Sequence, residues 1–304
     1  MCWRERLIFI PLLLWAWLTG VAADELTCAP LQRAAPIDRS AVVHGHGLLW
    51  KVSGASAGAS YLLGTMHVAE PRVMKILERA RPQFDASHTF AMEVVLDAPA
   101  MHKLGQAMFY RDGRQLSEVV GVPLFASIAR HLGDYGVPPT LAQSMKPWAA
   151  FTTLSMPVGA GAEPLDLQLM NAAHAAAKQV VGLESVDEQL AVFENVAEGD
   201  QVTMLREVAC HYEVFQHELD EMVEAYVARD LIALIEQSER YDSEGKEAFM
   251  DKLLYERNAR MAERMLPLLG AGQAFIAVGA LHLPGERGVL RLLEKQGYRV
   301  EALY

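Results

Sequence analysis

Tyr61-Leu62-Leu63-Gly64-Thr65-Met66-His67 near the amino end of the chain and Phe275-Ile276-Ala277-Val278-Gly279-Ala280-Leu281-His282 near its carboxyl end share one form. Each is an apolar run with aromatic or β-branched members, broken by Gly, with a His three residues beyond that Gly. Such a run reads as a buried strand reaching its end. The Gly lets the backbone turn or approach another group closely. In open α/β sheets, ligands sit outside the carboxyl ends of the strands. Two imidazoles delivered there by two strands would face one site across more than two hundred residues of sequence.

Two carboxylates occupy equivalent places. Glu93 closes the run from His88 to Val95, among residues too apolar to leave a carboxylate without a partner. Glu184 follows Gln179 to Leu183. His67, His282, Glu93 and Glu184 together suit a divalent ion such as manganese, cobalt, zinc or iron. They equally suit general acid–base work without metal. Arg257 and Asn258 lie inside a helical stretch leading to the last strands, where Asn is a poor interior residue, which hints at a polar task at the sheet edge. Other imidazoles fare worse. His211 and His217 are six apart and cannot share a helix face. His217-Glu218 lacks the second His of a zincin signature. His44 and His46 flank Gly45 in an expected loop. No nucleophile elbow, phosphate-binding loop or dinucleotide glycine cluster is present.

Around these points the strands alternate with helices. A hairpin is expected over 47–53 and 59–66, then a helix after Pro71 with Val73, Ile76, Leu77 and Ala80 on one face. Helical segments follow at about 98–110, 117–132, 147–156 and 166–178. Ser185 and Glu188 form a capping box opening the next helix. Apolar residues at 202, 205, 209, 212, 215, 219, 222 and 226 predict one long helix from about Asp200 to Tyr226. The chain closes with a strand at 274–278, a helix at 287–296 stopped by Gly297, and a strand at 298–303. The expected fold is α/β, with a sheet built from both chain halves and a helical insertion within about 98–175 and 186–270. Residues 24–304 form one domain on this reading.

The chain is 52% apolar, with a net charge of −11 and a pI near 5.4. That balance argues against nucleic acid or an anionic membrane surface as partner. Residues 1–23 read as a cleaved signal peptide: Arg4 and Arg6, an apolar stretch from Leu7 to Leu18, and Val21-Ala22-Ala23 before the mature chain. An uncleaved anchor or a lipidated Cys28 fits less well, and no other segment is long and apolar enough to cross a membrane. The protein is therefore expected to be exported, periplasmic or secreted. Export leaves Cys28 and Cys210, an even pair that an oxidising compartment would join as a disulfide.

The ordered set of motifs resembles the TraB/GumN family, related to the Tiki metalloproteases and more distantly to erythromycin-esterase and ChaN-like proteins. The residues that carry the resemblance are Leu49-Trp50-Lys51-Val52, Ser60 to Val68, Ala91-Met92-Glu93, Lys146-Pro147-Trp148, Gly182-Leu183-Glu184-Ser185 with Gln189, Glu256-Arg257-Asn258, and Ala277 to Gly285. The resemblance implies an α/β fold with both Gly-x-x-His motifs at one site and, through the Tiki relatives, metal-dependent peptide-bond hydrolysis. His67, Glu93 and His282 are then the site candidates, with Arg257 and Asn258 behind them. Relatives often have Gly where this chain has Pro164 before Leu165-Asp166. The leading reading is an exported metal-dependent hydrolase acting on a peptide or small-molecule amide. In it His67 and His282 bind the ion, Glu93 completes the ligand set or acts as general base, and Arg257 or Asn258 steadies the developing oxyanion. Glu184 is the reserve carboxylate. Its rivals are a metal-independent His/Glu hydrolase of the esterase type and a non-catalytic haem- or metal-binding protein.

Overall fold

A computed structural model of the protein describes residues 26–54, 58–159, 163–243 and 246–304. The signal peptide expected at 1–23 lies outside the described residues. The strands are β1 (Gln32–Arg33), β2 (Leu49–Ser53), β3 (Ser60–Thr65), β4 (Thr89–Met92), β5 (Gln179–Gly182), β6 (Tyr241–Asp242), β7 (Ala274–Gly279) and β8 (Arg299–Ala302). The first helices are α1 (Pro71–Asp85), α2 (Ala98–Ala107), α3 (Leu116–Val120), α4 (Val122–Gly133), α5 (Pro139–Ala142), α6 (Pro147–Leu154) and α7 (Leu165–Ala175). They are followed by α8 (Val186–Glu194), α9 (Glu198–Cys210), α10 (Tyr212–Val227), α11 (Leu231–Ser238), α12 (Lys246–Met250), α13 (Glu256–Ala271) and α14 (Val289–Lys295).

The main sheet runs β5-β4-β7-β3-β2-β8. Its four strands β5, β4, β7 and β3 are mutually parallel, while β2 pairs antiparallel with both β3 and β8. The late strand β7 inserts between the early strands β3 and β4, so the sheet draws on both chain halves as expected. Both faces of its centre are covered, and β7 reads Ala-Phe-Ile-Ala-Val with every one of those residues buried. That is the continuous apolar run a parallel strand between two helical layers requires. Phe84 of α1 meets Phe90 and Phe275 edge-on, locking α1 over β4 and β7. A second apolar cluster, centred on Leu124, Ile128, Trp148 and Leu205, has its buried residues in the helical insertion, with Leu26 of the amino-terminal segment packed against it. A short antiparallel pairing of β1 with β6, not expected from the sequence, ties the amino-terminal segment to the insertion.

The long helix expected over 200–226 is two helices. The chain breaks at His211, where φ is −121° and ψ is 29°. Here Cys210 is joined to Cys28 in a disulfide, and the His211 imidazole hydrogen-bonds the Ala29 carbonyl at 2.8 Å. The apolar stripe continues through the break because both helices face the same interior. Local periodicity alone therefore did not reveal the bend imposed by the amino-terminal segment. Among the described residues no helix is long and apolar enough to cross a membrane.

Candidate active site

Four parallel strands point their carboxyl ends to one rim. Glu93 directly follows β4, Glu184 lies two residues beyond β5, His67 two beyond β3, and His282 closes a single 3-10 turn after β7. The register aligns Thr65 with Gly279 and Met92 with Ala277, so the turns that follow lie side by side. The two Gly residues serve different contacts. A Cβ at Gly64 would stand 2.7 Å from Leu283 and 3.2 Å from the Ala280 backbone, so this Gly lets the turn bearing His282 pack onto β3. A Cβ at Gly279 would stand 3.2 Å from Glu93 Oε1, and the Gly279 N–H donates to that oxygen at 2.6 Å. Here the absent side chain admits a carboxylate.

Glu93 and Glu184 flank a buried guanidinium. Arg257 Nη2 donates to Glu93 Oε2 at 2.5 Å and to Glu184 Oε2 at 2.7 Å, its Nε reaches Glu184 Oε2 at 2.9 Å, and Nη1 donates to the Leu253 carbonyl at 3.0 Å. Arg260 takes the other oxygen of Glu184 at 2.7 Å. The Glu184 side chain is wholly buried and both its oxygens are held by arginines. It serves the arginines and offers no free face to a ligand. Burial works against ionisation of Glu93, but the charges of His282, Arg257 and His67 and the Gly279 N–H overcome it and pull its carboxyl to about 2.

Each imidazole is anchored through Nδ1. His282 Nδ1 donates to Asn258 Oδ1 at 2.6 Å, and the Asn258 amide donates onward to the Arg287 carbonyl at 2.9 Å. His67 Nδ1 meets Asp166 Oδ2 at 2.5 Å. Burial, reinforced by Arg257, holds His282 neutral down to about 4 although Glu93 pulls the other way. The Asp166 carboxylate pushes His67 up to about 9. The His282 side chain is 5% exposed and the His67 side chain 59%, so one imidazole is embedded and its counterpart faces water.

The donor chemistry suits a divalent ion. Among the described residues neither Nε2 atom makes a hydrogen bond, the arrangement in which an acceptor on the other ring nitrogen fixes the tautomer of a ligating His. His282 Nε2 and Glu93 Oε1 stand 3.6 Å apart, beyond a hydrogen bond. Two donors about 2.1 Å from one ion at a tetrahedral angle would be about 3.4 Å apart. Among the described residues no three His, Cys, Asp or Glu side chains already stand together in ligand geometry. Thr65 Oγ1, buried at the same rim, has no hydrogen-bond partner among the described residues, and a bound water or ligand would satisfy it.

The rim thus brings together His67, Glu93, Glu184, Arg257, Asn258 and His282. Arg257 and Asn258 are buried, with their polar atoms already committed to Glu93, Glu184, His282 and backbone. His217 is exposed beside Glu221, His44 pairs with Glu294, and His46 lies near Asp230, all apart from the rim contacts. Asp166 was not anticipated as a partner for His67, since nothing local links residues 67 and 166. Arg260 had a legible signal: Arg257, Arg260 and Arg264 recur at helical spacing and meet Glu184, just before α8, and Glu188 in its first turn.

With this geometry in view, the family is decided by a profile of the TraB/PrgY/gumN family that matches residues 48–302. The chain belongs to the TraB/PrgY/gumN family. Curated relatives of this TraB/PrgY/gumN protein include Metalloprotease TIKI2 of Danio rerio, 24% identical over 80% of the chain and 58% of the relative. Metalloprotease TIKI2 of Xenopus tropicalis is 22% identical over 80% of the chain and 57% of the relative. The chain spans less than three fifths of the length of these relatives. No solved structure matches it.

Proposed function

We propose that this rim is the active site of an exported, metal-dependent hydrolase that cleaves peptide or amide bonds. The observation that carries the reading is the pair of Nδ1-anchored imidazoles with His282 Nε2 facing Glu93 at near-ligand spacing. The names of the Tiki relatives, which are metalloproteases, support it. His67, His282 and Glu93 would hold a divalent ion such as manganese, cobalt, zinc or iron. Such an ion supplies Lewis acidity to a carbonyl and lowers the pKa of a water beside it.

The chain's own residues have separable tasks. Glu93, held ionised by Arg257, suits an anionic ligand better than a base, because a useful base titrates near the working pH. Asn258 and Asp166 orient the two imidazoles. Arg257 and Glu184 hold Glu93 in place and are positioning residues, as is Asn258, rather than oxyanion donors. His67, open to water, marks the side from which a substrate would reach the site. Export rests on the Arg4–Ala23 leader pattern and on the Cys28–Cys210 disulfide, a bond that persists in oxidising compartments.

The decisive experiment is metal analysis of the mature protein alongside hydrolysis of a broad peptide library, before and after dialysis against a chelator. Bound metal, loss of hydrolysis on chelation and metal-specific recovery are expected, with both lost in the His67→Ala/His282→Ala double variant. One observation favours a second reading: His67 hydrogen-bonded to Asp166 is half of an acid–base dyad. Hydrolysis that survives chelation and is lost in Asp166→Asn would establish the metal-free alternative.

A further inference from the structure

Thr65 ends β3 two residues before His67 and is 2% exposed. Val would fill a β-branched strand position equally well, and it would bring no buried hydroxyl that lacks a partner. Two relations fix the direction of the Thr65 side chain. Successive residues of a strand face opposite sides of the sheet. The missing side chain of Gly64 faces Leu283 and Ala280, so Thr65 faces the other side. Thr65 is also the register partner of Gly279, and partners in a parallel pair face the same side. A Cβ at Gly279 would stand 3.2 Å from Glu93 Oε1, 3.4 Å from His282 Cδ2 and 4.0 Å from His282 Nε2. The Thr65 side chain therefore stands one strand away, on the sheet face where Glu93 and His282 meet.

Neighbouring strands lie about 4.7–4.9 Å apart, a gap that a single oxygen atom in contact with both sides closes. The other donors of the rim already serve partners. Arg257 holds Glu93, Glu184 and the Leu253 carbonyl, the Asn258 amide holds the Arg287 carbonyl, and the Gly279 N–H holds Glu93. The Thr65 O–H is uncommitted among the described residues, so it can meet a charge that appears only during reaction.

We propose that the Thr65 hydroxyl is an oxyanion donor, hydrogen-bonding the scissile carbonyl oxygen as that oxygen gains negative charge. This rests on the hydrolase reading of the rim. Water adds to the carbonyl carbon and the C=O electron pair moves onto oxygen. Return of that pair expels the amine, which leaves with the proton that the water gave up. Thr65 keeps its own proton throughout.

Thr65→Val deletes the hydroxyl and keeps the branched shape, while Thr65→Ser keeps the hydroxyl. Both are compared with the native mature protein, supplied with manganese, cobalt, zinc or iron, on the best-cleaved member of a peptide library. Losing one oxyanion donor costs about 10²–10³-fold in kcat, so Thr65→Val should lose that factor with KM changed less than about twofold. Thr65→Ser should stay within about tenfold of the native rate. A phosphinic analogue of the same peptide, whose anionic tetrahedral group stands for the reacting carbonyl, should bind Thr65→Val at least about tenfold more weakly. Thermal unfolding in excess chelator gives a readout apart from activity: Thr65→Val should melt at or above the native temperature, because it removes an unpartnered buried hydroxyl. A native kcat in Thr65→Val, a change confined to KM, or a lower melting temperature overturns the donor role and leaves the hydrolase reading standing. No cleavage of any peptide by the native protein sinks the hydrolase reading, and the donor role with it.

Discussion

Replacing Arg257 with Met tests whether the buried charge chain holds the rim together. The Arg257 side chain is 8% exposed and lies between Glu93 and Glu184, whose side chains are 11% and 0% exposed. Removing it leaves Glu184 with Arg260, and leaves Glu93 with the Gly279 N–H at 2.6 Å, a long Gln189 contact at 3.5 Å, His282 Nε2 at 3.6 Å and the field of His67. Glu93 then lacks its arginine partner, and losing one partner of a buried ion pair costs about 3–5 kcal/mol. At about 2–4 °C per kcal/mol for a chain of this class, the midpoint should fall by roughly 6–20 °C. The pH dependence has a definite sign. In the native protein Glu93 titrates at about 2, below its unfolded value near 4.3, so its stabilisation is present above that value and fades as pH falls toward 2. In Arg257→Met, burial no longer opposed by Arg257 raises the carboxyl, so the destabilisation is full at neutral pH and is relieved as Glu93 protonates. The gap between the two proteins should be widest at pH 7.5 and narrow below pH 5. Urea unfolding in excess chelator at pH 7.5 and pH 4 measures both quantities. Adding Glu93→Gln to Arg257→Met should recover at least 1 kcal/mol at pH 7.5, since it removes the charge left without its arginine. A loss under 1 kcal/mol, or a loss identical at the two pH values, would refute the reasoning.

Further outcomes follow from the same contacts. Arg260→Met should cost no more than about 1 kcal/mol, because its side chain is 31% exposed and Glu184 keeps Arg257; urea midpoints check it. Gly64→Ala should destabilise by about 1–3 kcal/mol, since its Cβ meets Leu283 and the Ala280 backbone, whereas Gly279→Ala should chiefly impair hydrolysis by displacing Glu93. Parallel melting curves and rate assays separate the two. Cys28 and Cys210, 182 residues apart, close a long loop, so Cys28→Ser/Cys210→Ser should lose about 2–5 kcal/mol, and thiol titration of the unreduced unfolded protein should find no free thiol. Two hydrogen bonds from Arg264 pull Glu188 to about 2, so this pair stabilises above the unfolded pKa near 4.3 and the effect is lost as pH falls toward 2. Arg264→Ala should therefore lower the melting temperature at pH 6 and scarcely at pH 2.5, the effect being muted by the partial exposure of the pair.

What the sequence determined by itself is local. The apolar runs before Gly64 and Gly279, the acidic residues closing two further runs, and the Ser185/Glu188 capping box are set by side-chain alternation and backbone donors within a few residues. Strand ends carry their residues with them, so His67, Glu93, Glu184 and His282 were recognisable as rim residues before any pairing was known. Tertiary structure decided which ends became neighbours. Inserting β7 between β3 and β4 places Gly279 against Glu93 and Leu283 against Gly64, contacts that no spacing within either segment encodes. The break at His211 belongs to the same class, because a disulfide to Cys28 and a bond to Ala29 act across some 180 residues while helical periodicity reports on four. The roles of Arg257 and Asn258 were also decided in three dimensions. A buried guanidinium must find carboxylates and a buried amide must find partners, and packing supplied Glu93 and Glu184 to the one and His282 to the other.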